Sequence, residues 1–384
     1  MRFQQKPVAE QVVVITGASS GIGLATARLL AERGARGLVL VARNADALRQ
    51  IADELKRTGT RAIAVPADVS RYEDLEQVAR QAIETFGGFD TWINDAAVAL
   101  YGSLDRIPMQ DQRRLFEVNY WGVVYGSTIA AEHLRNRGGT IINLGSVLSE
   151  RTMMLQTQYS ASKHAVKGFT DGLRMELESE GVPVWVCLIK PSSIDTPYVE
   201  HARNYLGAET AVPPPSYDPH LVARAIVFAA ENKRREMTVG FGGWAIGAMG
   251  KVAPRMVDRA MEWTGYSSQT THHPERPAMR DNLYRARQDG DVYSSLPGEP
   301  RKSSLLLEAQ IHPIATTAIL AGIGAAVAAL LLPFSSSRRR PRRRPAPPYR
   351  TVARRLGNGH DKHTPGPGHM SRRTETGARP QPRH

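Results

Sequence analysis

The sequence predicts an α/β protein built on a doubly wound parallel sheet of about seven strands, with helices on both faces. Three observations predict it. Short apolar runs alternate with amphipathic stretches from residue 11 to about 245, which is the pattern of repeated strand–helix–strand units. The apolar runs are continuous rather than alternating with polar residues, as strands covered on both faces must be. A chain of 384 residues is long enough for one large domain and appendages.

Taken in order, residues 12–16 read as the first strand and 21–33 as the first helix. Strands follow at 37–41, 62–66 and 91–94, separated by helices at 45–58 and 71–86. In the latter, Leu75, Val78, Ala79 and Ile83 recur at helical spacing. A helix through 111–135 leads to a strand at 140–144, then a helix at 159–180 and a strand at 184–189. Residues 220–231 and 236–239 supply the last helix and strand. Beyond the 1–245 domain, 245–264 reads as helical, and 266–310, rich in Ser, Pro, Gly, Arg and Asp, as a linker. Residues 246–312 thus form a helical extension and linker, 313–334 an uncharged apolar helix, and 335–384 a disordered Arg/Pro-rich tail.

The net charge of +13 is concentrated in that tail. Residues 335–384 carry 14 Lys+Arg against two acids, so the rest of the chain is close to neutral. The basic balance therefore does not mark the domain as a nucleic-acid binder, and a polybasic tail without interleaved aromatics apart from Tyr349 does not favour that partner either. One cysteine, Cys187, lies in an apolar run and reads as a buried, inert thiol. It excludes an intrachain disulfide and a cysteine metal cluster. The N-terminal residues lack an apolar signal region, so a cytoplasmic location is expected for the domain.

Thr16-Gly17-Ala18-Ser19-Ser20-Gly21-Ile22-Gly23 joins the first strand to the first helix. Gly17 and Gly21 let the backbone turn and approach a pyrophosphate, and Gly23 lets the helix pack closely on the sheet. The helix N-terminus then favours the anion. At the end of the second strand, Ala42 stands where a carboxylate would hold a ribose 2′-hydroxyl, and Arg43 follows it. A guanidinium there grips a 2′-phosphate, so the expected cofactor is NADP(H). Tyr159 and Lys163 are four residues apart on one helical face. A nearby ammonium stabilises a phenolate, and Tyr159 can then exchange a proton with a carbonyl or alcohol oxygen.

With this loop and the Tyr159-Ser160-Ala161-Ser162-Lys163 segment, the chain resembles the short-chain dehydrogenase/reductase family, of Rossmann type, over residues 11 to about 245. The resemblance implies an oxidoreductase acting on a carbonyl or secondary alcohol, with Asn119, Ser146, Tyr159 and Lys163 as the catalytic set. It implies that Ser146 orients the substrate oxygen, that Asn119 supports a water and proton relay to Lys163, and that Lys163 also bonds the nicotinamide ribose. It assigns to the cofactor Thr16, Gly17, Ser19, Ser20, Gly21, Ile22, Gly23 and Arg43, then Asp68 and Val69, Asn94 and Ala96, Tyr159 and Lys163, and Pro191, Ser192, Ile194 and Thr196. Asp95, Ala97 and Ser192 depart from the residues usual in the family. A homo-oligomer is also expected.

Residues 197–217 read as a lid in which Tyr198, Tyr205, Leu206, Val212 and Tyr217 suggest an apolar or aromatic wall. With the apolar helix at 313–334, this points to a lipophilic ketone, aldehyde or alcohol, and to membrane association, the helix spanning, lying in the interface or packing on protein. Two rival functions stand beside the enzyme: a non-enzymatic NADP-binding scaffold, and a protein tethered to membrane or nucleic acid by its basic tail.

Overall fold

The computed structural model describes residues 4–274, 281–287 and 289–331. Its centre is a seven-stranded parallel sheet. The strands are β1 (Val12–Thr16), β2 (Gly37–Ala42), β3 (Ala62–Pro66), β4 (Thr91–Asn94), β5 (Gly139–Leu144), β6 (Val184–Pro191) and β7 (Glu236–Val239). They lie in the order β7-β6-β5-β4-β1-β2-β3, so the winding reverses between β1 and β4. That reversal opens a crevice at the carboxyl ends of the two strands, where ligands of such sheets bind.

The period of two along the strands divides the core. Val13 and Ile15 of β1, with Leu38 and Leu40 of β2, face one side and meet helices α1 (Gly21–Glu32), α2 (Ala45–Arg57) and α7 (Pro219–Glu231). Val12, Val14, Val39 and Val41 face the other and meet α3 (Tyr72–Phe86), α4 (Met109–Phe116), α5 (Gly122–Leu134) and α6 (Thr157–Ser179). All eight strand residues are fully buried, as continuous apolar strands require. Helix ends follow local chemistry. Asn44 Oδ1 accepts the Ala47 N–H at the start of α2, and Asp218 with Pro219 begins α7.

Three sequence expectations change. The helix expected through 111–135 is two helices joined by a π-helical turn, Glu117–Trp121, in which the Gly122 N–H reaches back to the Glu117 carbonyl. The helix expected over 245–264 is broken into α8 (Phe241–Val252) and α9 (Pro254–Thr264), because the ring of Pro254 keeps Ala253 out of helical geometry. Much of 266–310 is packed on the domain instead of linking away from it. Thr270–Pro274 pairs antiparallel with Ala208–Thr210; Leu283, Val292 and Leu307 are buried, and α10 (Leu305–Ile311) lies against β7. These apolar residues enter the core singly, so no periodicity announces them.

α11 (Pro313–Leu331) exposes Ile314, Ile319, Ile323 and Val327. Among the described residues no single helix is long and apolar enough to cross a membrane; Leu305–Ile311 and Pro313–Ile323 reach that composition together, bent by 113°. The tail expected at 335–384 lies outside the described residues.

Candidate active site

The carboxyl ends of β1, β2, β4, β5 and β6 open into one groove of about 360 Å³. At one end the β1–α1 loop forms its floor. Gly17 has φ +77°, and a Cβ on it would come 2.9 Å from the Ala96 nitrogen; a Cβ on Gly23 would come 2.2 Å from the Gly17 carbonyl oxygen. Close approach of strand, loop and helix therefore requires glycine at both positions. The resulting cradle fits a dinucleotide pyrophosphate at the start of α1.

Gly17, Ser19, Ser20, Gly21, Ile22, Arg43, Asp68, Val69, Ala96, Pro191, Ser192, Ile194 and Thr196 all line the groove. So do Ser146, Tyr159 and Lys163. Four of the residues assigned by resemblance stand behind it instead. Thr16 Oγ1 accepts the Asp95 and Ala96 N–H groups, tying β1 to the loop after β4. Gly23 packs against that loop. Asn94 belongs to a buried network, accepting from Trp92 Nε1 and donating to Ser127 and Asn143, which in turn donates to Thr170 on α6. The Asn119 carboxamide, at 0% exposure, exchanges hydrogen bonds of 2.8 and 3.0 Å with the Val98 backbone and donates to Ser162 at 3.4 Å. Its place within the π-helical turn is the kind of local irregularity that gathers at functional sites.

Around the adenosine end, Asp68 is held by Ser70 and by Arg114, whose Nη2 lies 2.6 Å from the carboxylate. Burial pushes the Asp68 carboxyl up, but these hydrogen bonds outweigh it and leave it below its ordinary range. Arg43 donates to the Asn282 and Leu283 carbonyls. Burial draws its pKa below the ordinary arginine value, against the pull of Asp68. A guanidinium carries five N–H donors, so two such bonds leave capacity for a phosphate.

At the other end, Ser146 closes the turn after β5, its hydroxyl accepting the Leu148 N–H at 3.1 Å. Tyr159 and Lys163 come from the first and second turns of α6. The Lys163 ammonium donates to the Leu144 carbonyl at 2.8 Å and lies 5.7 Å from the Tyr159 ring centroid. Burial pushes Tyr159 up to about 12, while the Tyr198 and Ser146 hydroxyls beside it pull the other way. Burial brings Lys163 down to about 8, with Asp95 opposing. In the protein alone, desolvation thus outweighs those two hydrogen bonds, and Tyr159 is a protonated phenol at neutral pH.

Burial also raises Asp95 to about 7, against Lys163. This residue replaces the family's usual Asn. Lys163 loses its positive charge as pH rises through about 8, so catalysis that depends on it should decline over that interval. Asp95→Asn removes the group that raises the Lys163 pKa. The alkaline limb of kcat/KM should therefore move to lower pH in that variant, and superimposable pH profiles would show that Asp95 does not act on Lys163.

The lid departs from the sequence reading. Tyr198 and Val212 line the groove, the Tyr198 ring meeting Tyr159 edge-on at 5.4 Å. Tyr205 turns its hydroxyl to Asp111, Leu206 packs in a small cluster with Ala99 and Tyr101, and Tyr217 is buried, accepting the Phe241 N–H. The apolar wall is completed by Tyr101, Leu148, Met153, Ile246 and Met261, none of which carried a sequence signal. Asn282, Ala286, Arg287 and Asp289, from the segment expected to be a linker, also line the groove. Cys187 is buried, and burial pushes its thiol up to about 12.

The model of the short chain dehydrogenase family matches residues 11–206, just over half of the chain. The chain belongs to the short-chain dehydrogenase family. This short-chain dehydrogenase is 44% identical over 331 residues to an uncharacterized oxidoreductase, YxnA, of Bacillus subtilis, covering 85% of this chain and 93% of the relative. It is 37% identical over 191 residues to 11-beta-hydroxysteroid dehydrogenase A of Sesamum indicum, covering 49% of this chain and 54% of that one. Among solved structures, a short chain dehydrogenase from Burkholderia cenocepacia in complex with NADP superposes with a TM-score of 0.56 at 27% identity, covering 66% of this chain and 98% of that one. An alcohol dehydrogenase from Thermococcus sibiricus complexed with 5-hydroxy-NADP gives 0.53 at 26%, covering 60% and 96%. The protein is an oxidoreductase of this family.

Proposed function

We propose that the protein transfers a hydride between NADP(H) and a lipophilic carbonyl or secondary alcohol, with Tyr159 as general acid and base. The observation that carries this reading is the convergence of Ser146, Tyr159 and Lys163 on the same groove as the Gly17/Gly21 cradle and Arg43. The two solved relatives bound to NADP or its 5-hydroxy derivative support the choice of cofactor.

NADP(H), when bound, supplies or accepts the hydride. Gly17, Ser19, Gly21 and Ile22 would cradle its pyrophosphate, Arg43 its 2′-phosphate, and Thr196 and Ile194 its nicotinamide end. For reduction, the Ser146 and Tyr159 hydroxyls hold the substrate oxygen, and Tyr159 gives that oxygen its proton. A phenol pushed up to about 12 retains this proton at neutral pH. Lys163 then stabilises the negative charge left on Tyr159 and returns a proton through the polar end of the groove. In the oxidation direction the same groups run in reverse, and Tyr159 removes the alcohol proton. Tyr101, Met153, Tyr198, Val212 and Met261 offer the substrate an apolar wall, which suits a large hydrophobic ketone better than a small polar one.

Arg43→Ala tests the cofactor choice. The variant should lose about 1.5–3 kcal/mol of NADPH binding, the worth of a hydrogen bond to a charged group, with NADH affinity little altered. Equal losses for the two nucleotides, or equal wild-type efficiency with both, would remove Arg43 as the 2′-phosphate ligand.

A further inference from the structure

The adenosine end of the groove is crossed by a piece of chain from far outside the family-model match. Residues 281–287 and 289–292 run between the two loops that a nucleotide's adenosine half would lie between. On the β1–α1 side, the Gly21 N–H donates to the Asp291 carbonyl at 2.9 Å. Ser19 Oγ donates to the Asp289 carboxylate at 2.8 Å, and the Gly290 N–H to the Ser19 carbonyl at 2.9 Å. On the β2–α2 side, Arg43 donates to the Asn282 and Leu283 carbonyls, and Asn44 Nδ2 to the Arg287 carbonyl at 2.8 Å. We propose that this strap is a movable cover over the cofactor groove, and that the nucleotide enters and leaves only when the strap detaches. The proposal rests on reading the groove as an NADP(H) site.

Its attachments are mostly hydrogen bonds, and its buried apolar anchors are few. Leu283 is fully buried and Val292 nearly so, but Tyr284, Arg285, Ala286 and Arg287 between them are exposed. The strap has no helix or strand of its own, so its retention depends on few buried contacts, the signature of a segment that opens locally at low cost. Gly290 at φ +115° provides a backbone conformation that residues with side chains avoid. The strap is also tied to the substrate side. Asp281 pairs with Arg203, the Asn282 N–H donates to the His201 carbonyl at 3.0 Å, and the Tyr284 hydroxyl donates to Asp111 at 2.7 Å.

The chemistry of the covered donors points to competition. A loop at a helix N-terminus favours an anion, and the anion now at Ser19 is the Asp289 carboxylate. An arriving phosphate repels that carboxylate and takes its donor, so bound nucleotide and attached strap exclude each other at this one spot. The Bacillus subtilis relative matches 85% of the chain. More than a quarter of the chain follows residue 280, so the match must extend into the region that holds the strap.

Stopped-flow fluorescence of NADPH binding and release by the full chain tests this. Asp289→Ala removes the tie to Ser19. Asp281→Ala breaks the Arg203 pair and the hydrogen bond from the Leu283 N–H without altering any residue that lines the groove. Asp281→Ala, whose ties the nucleotide does not contest, should raise the association and dissociation rate constants together by about tenfold, the effect of weakening the closed state by one charge-assisted hydrogen bond, while Kd changes far less; Asp289→Ala, whose tie the phosphate displaces, should raise the association rate constant alone. Unchanged rates in both variants would overturn the cover. So would faster dissociation with unaltered association, which describes a fixed wall touching the bound nucleotide. A wild type that binds no NADPH would instead overturn the cofactor reading, and the cover with it.

Discussion

Tyr159→Phe is expected to lower kcat by roughly 10³-fold while leaving NADPH affinity within about twofold, since general acid–base catalysis contributes 10²–10⁴-fold. The substitution removes only the phenolic oxygen. The ring keeps its edge-on contact with Tyr198 at 5.4 Å, and Lys163 keeps its bond to the Leu144 carbonyl. Neither the cradle at Gly17 nor the adenosine end around Arg43 touches this oxygen, so the groove should bind nucleotide as before. Binding titration beside single-turnover kinetics separates the two effects. Wild-type turnover in Tyr159→Phe would require another proton donor. The Tyr198 and Ser146 hydroxyls beside it are the candidates, and double variants with Tyr198→Phe or Ser146→Ala would identify which.

Gly23→Ala is expected to abolish nucleotide binding and to lower the thermal midpoint as well. Its added carbon would stand 2.2 Å from the Gly17 carbonyl oxygen and 2.9 Å from the Asp95 carboxylate. Both neighbours belong to the cradle, and the first is backbone, so relief requires that α1 move away from the loop. Overpacking of this sort costs about 1–3 kcal/mol. The displaced loop would no longer direct its N–H groups at an anion. Calorimetric melting and NADPH titration on the same sample check the two consequences. Gly34→Ala is a useful comparison, since its constraint is a φ of +74° and nothing lies within 4 Å of its added carbon. That change should cost stability while sparing the nucleotide site.

The parts of this fold legible in the sequence are those that repeat or are contiguous. Fully apolar runs such as Val12–Thr16 and helices such as Tyr72–Phe86 have periods that survive in one dimension. The cofactor loop and the Tyr159/Lys163 pair each occupy one short stretch, so their geometry follows from a single turn or a single helical face. The wall and the strap have no such property. Ile246 and Met261 reach the groove from helices whose boundary is set by Pro254, and Leu283 is one apolar residue in a polar segment. Tyr205 and Tyr217 misled for the converse reason. An aromatic residue in a lid follows its hydrogen-bond partner, and theirs, Asp111 and Phe241, are remote in sequence. Asn119 and Asn94 were readable as motif members but not as what their side chains do, which is to fasten the Val98 backbone and the buried Asn143 network behind the groove.

Hydride transfer to a lipophilic carbonyl in this groove consumes NADPH. Loss of NADPH absorbance, followed with a panel of large hydrophobic ketones and aldehydes in parallel with NADH, tests it most directly. At least one such compound should turn over with a clear preference for NADPH, and roughly 10³-fold more slowly with Tyr159→Phe. NADPH binding without oxidation across the panel, together with no oxidation of the corresponding alcohols by NADP, would contradict it and leave a nucleotide-binding scaffold in its place.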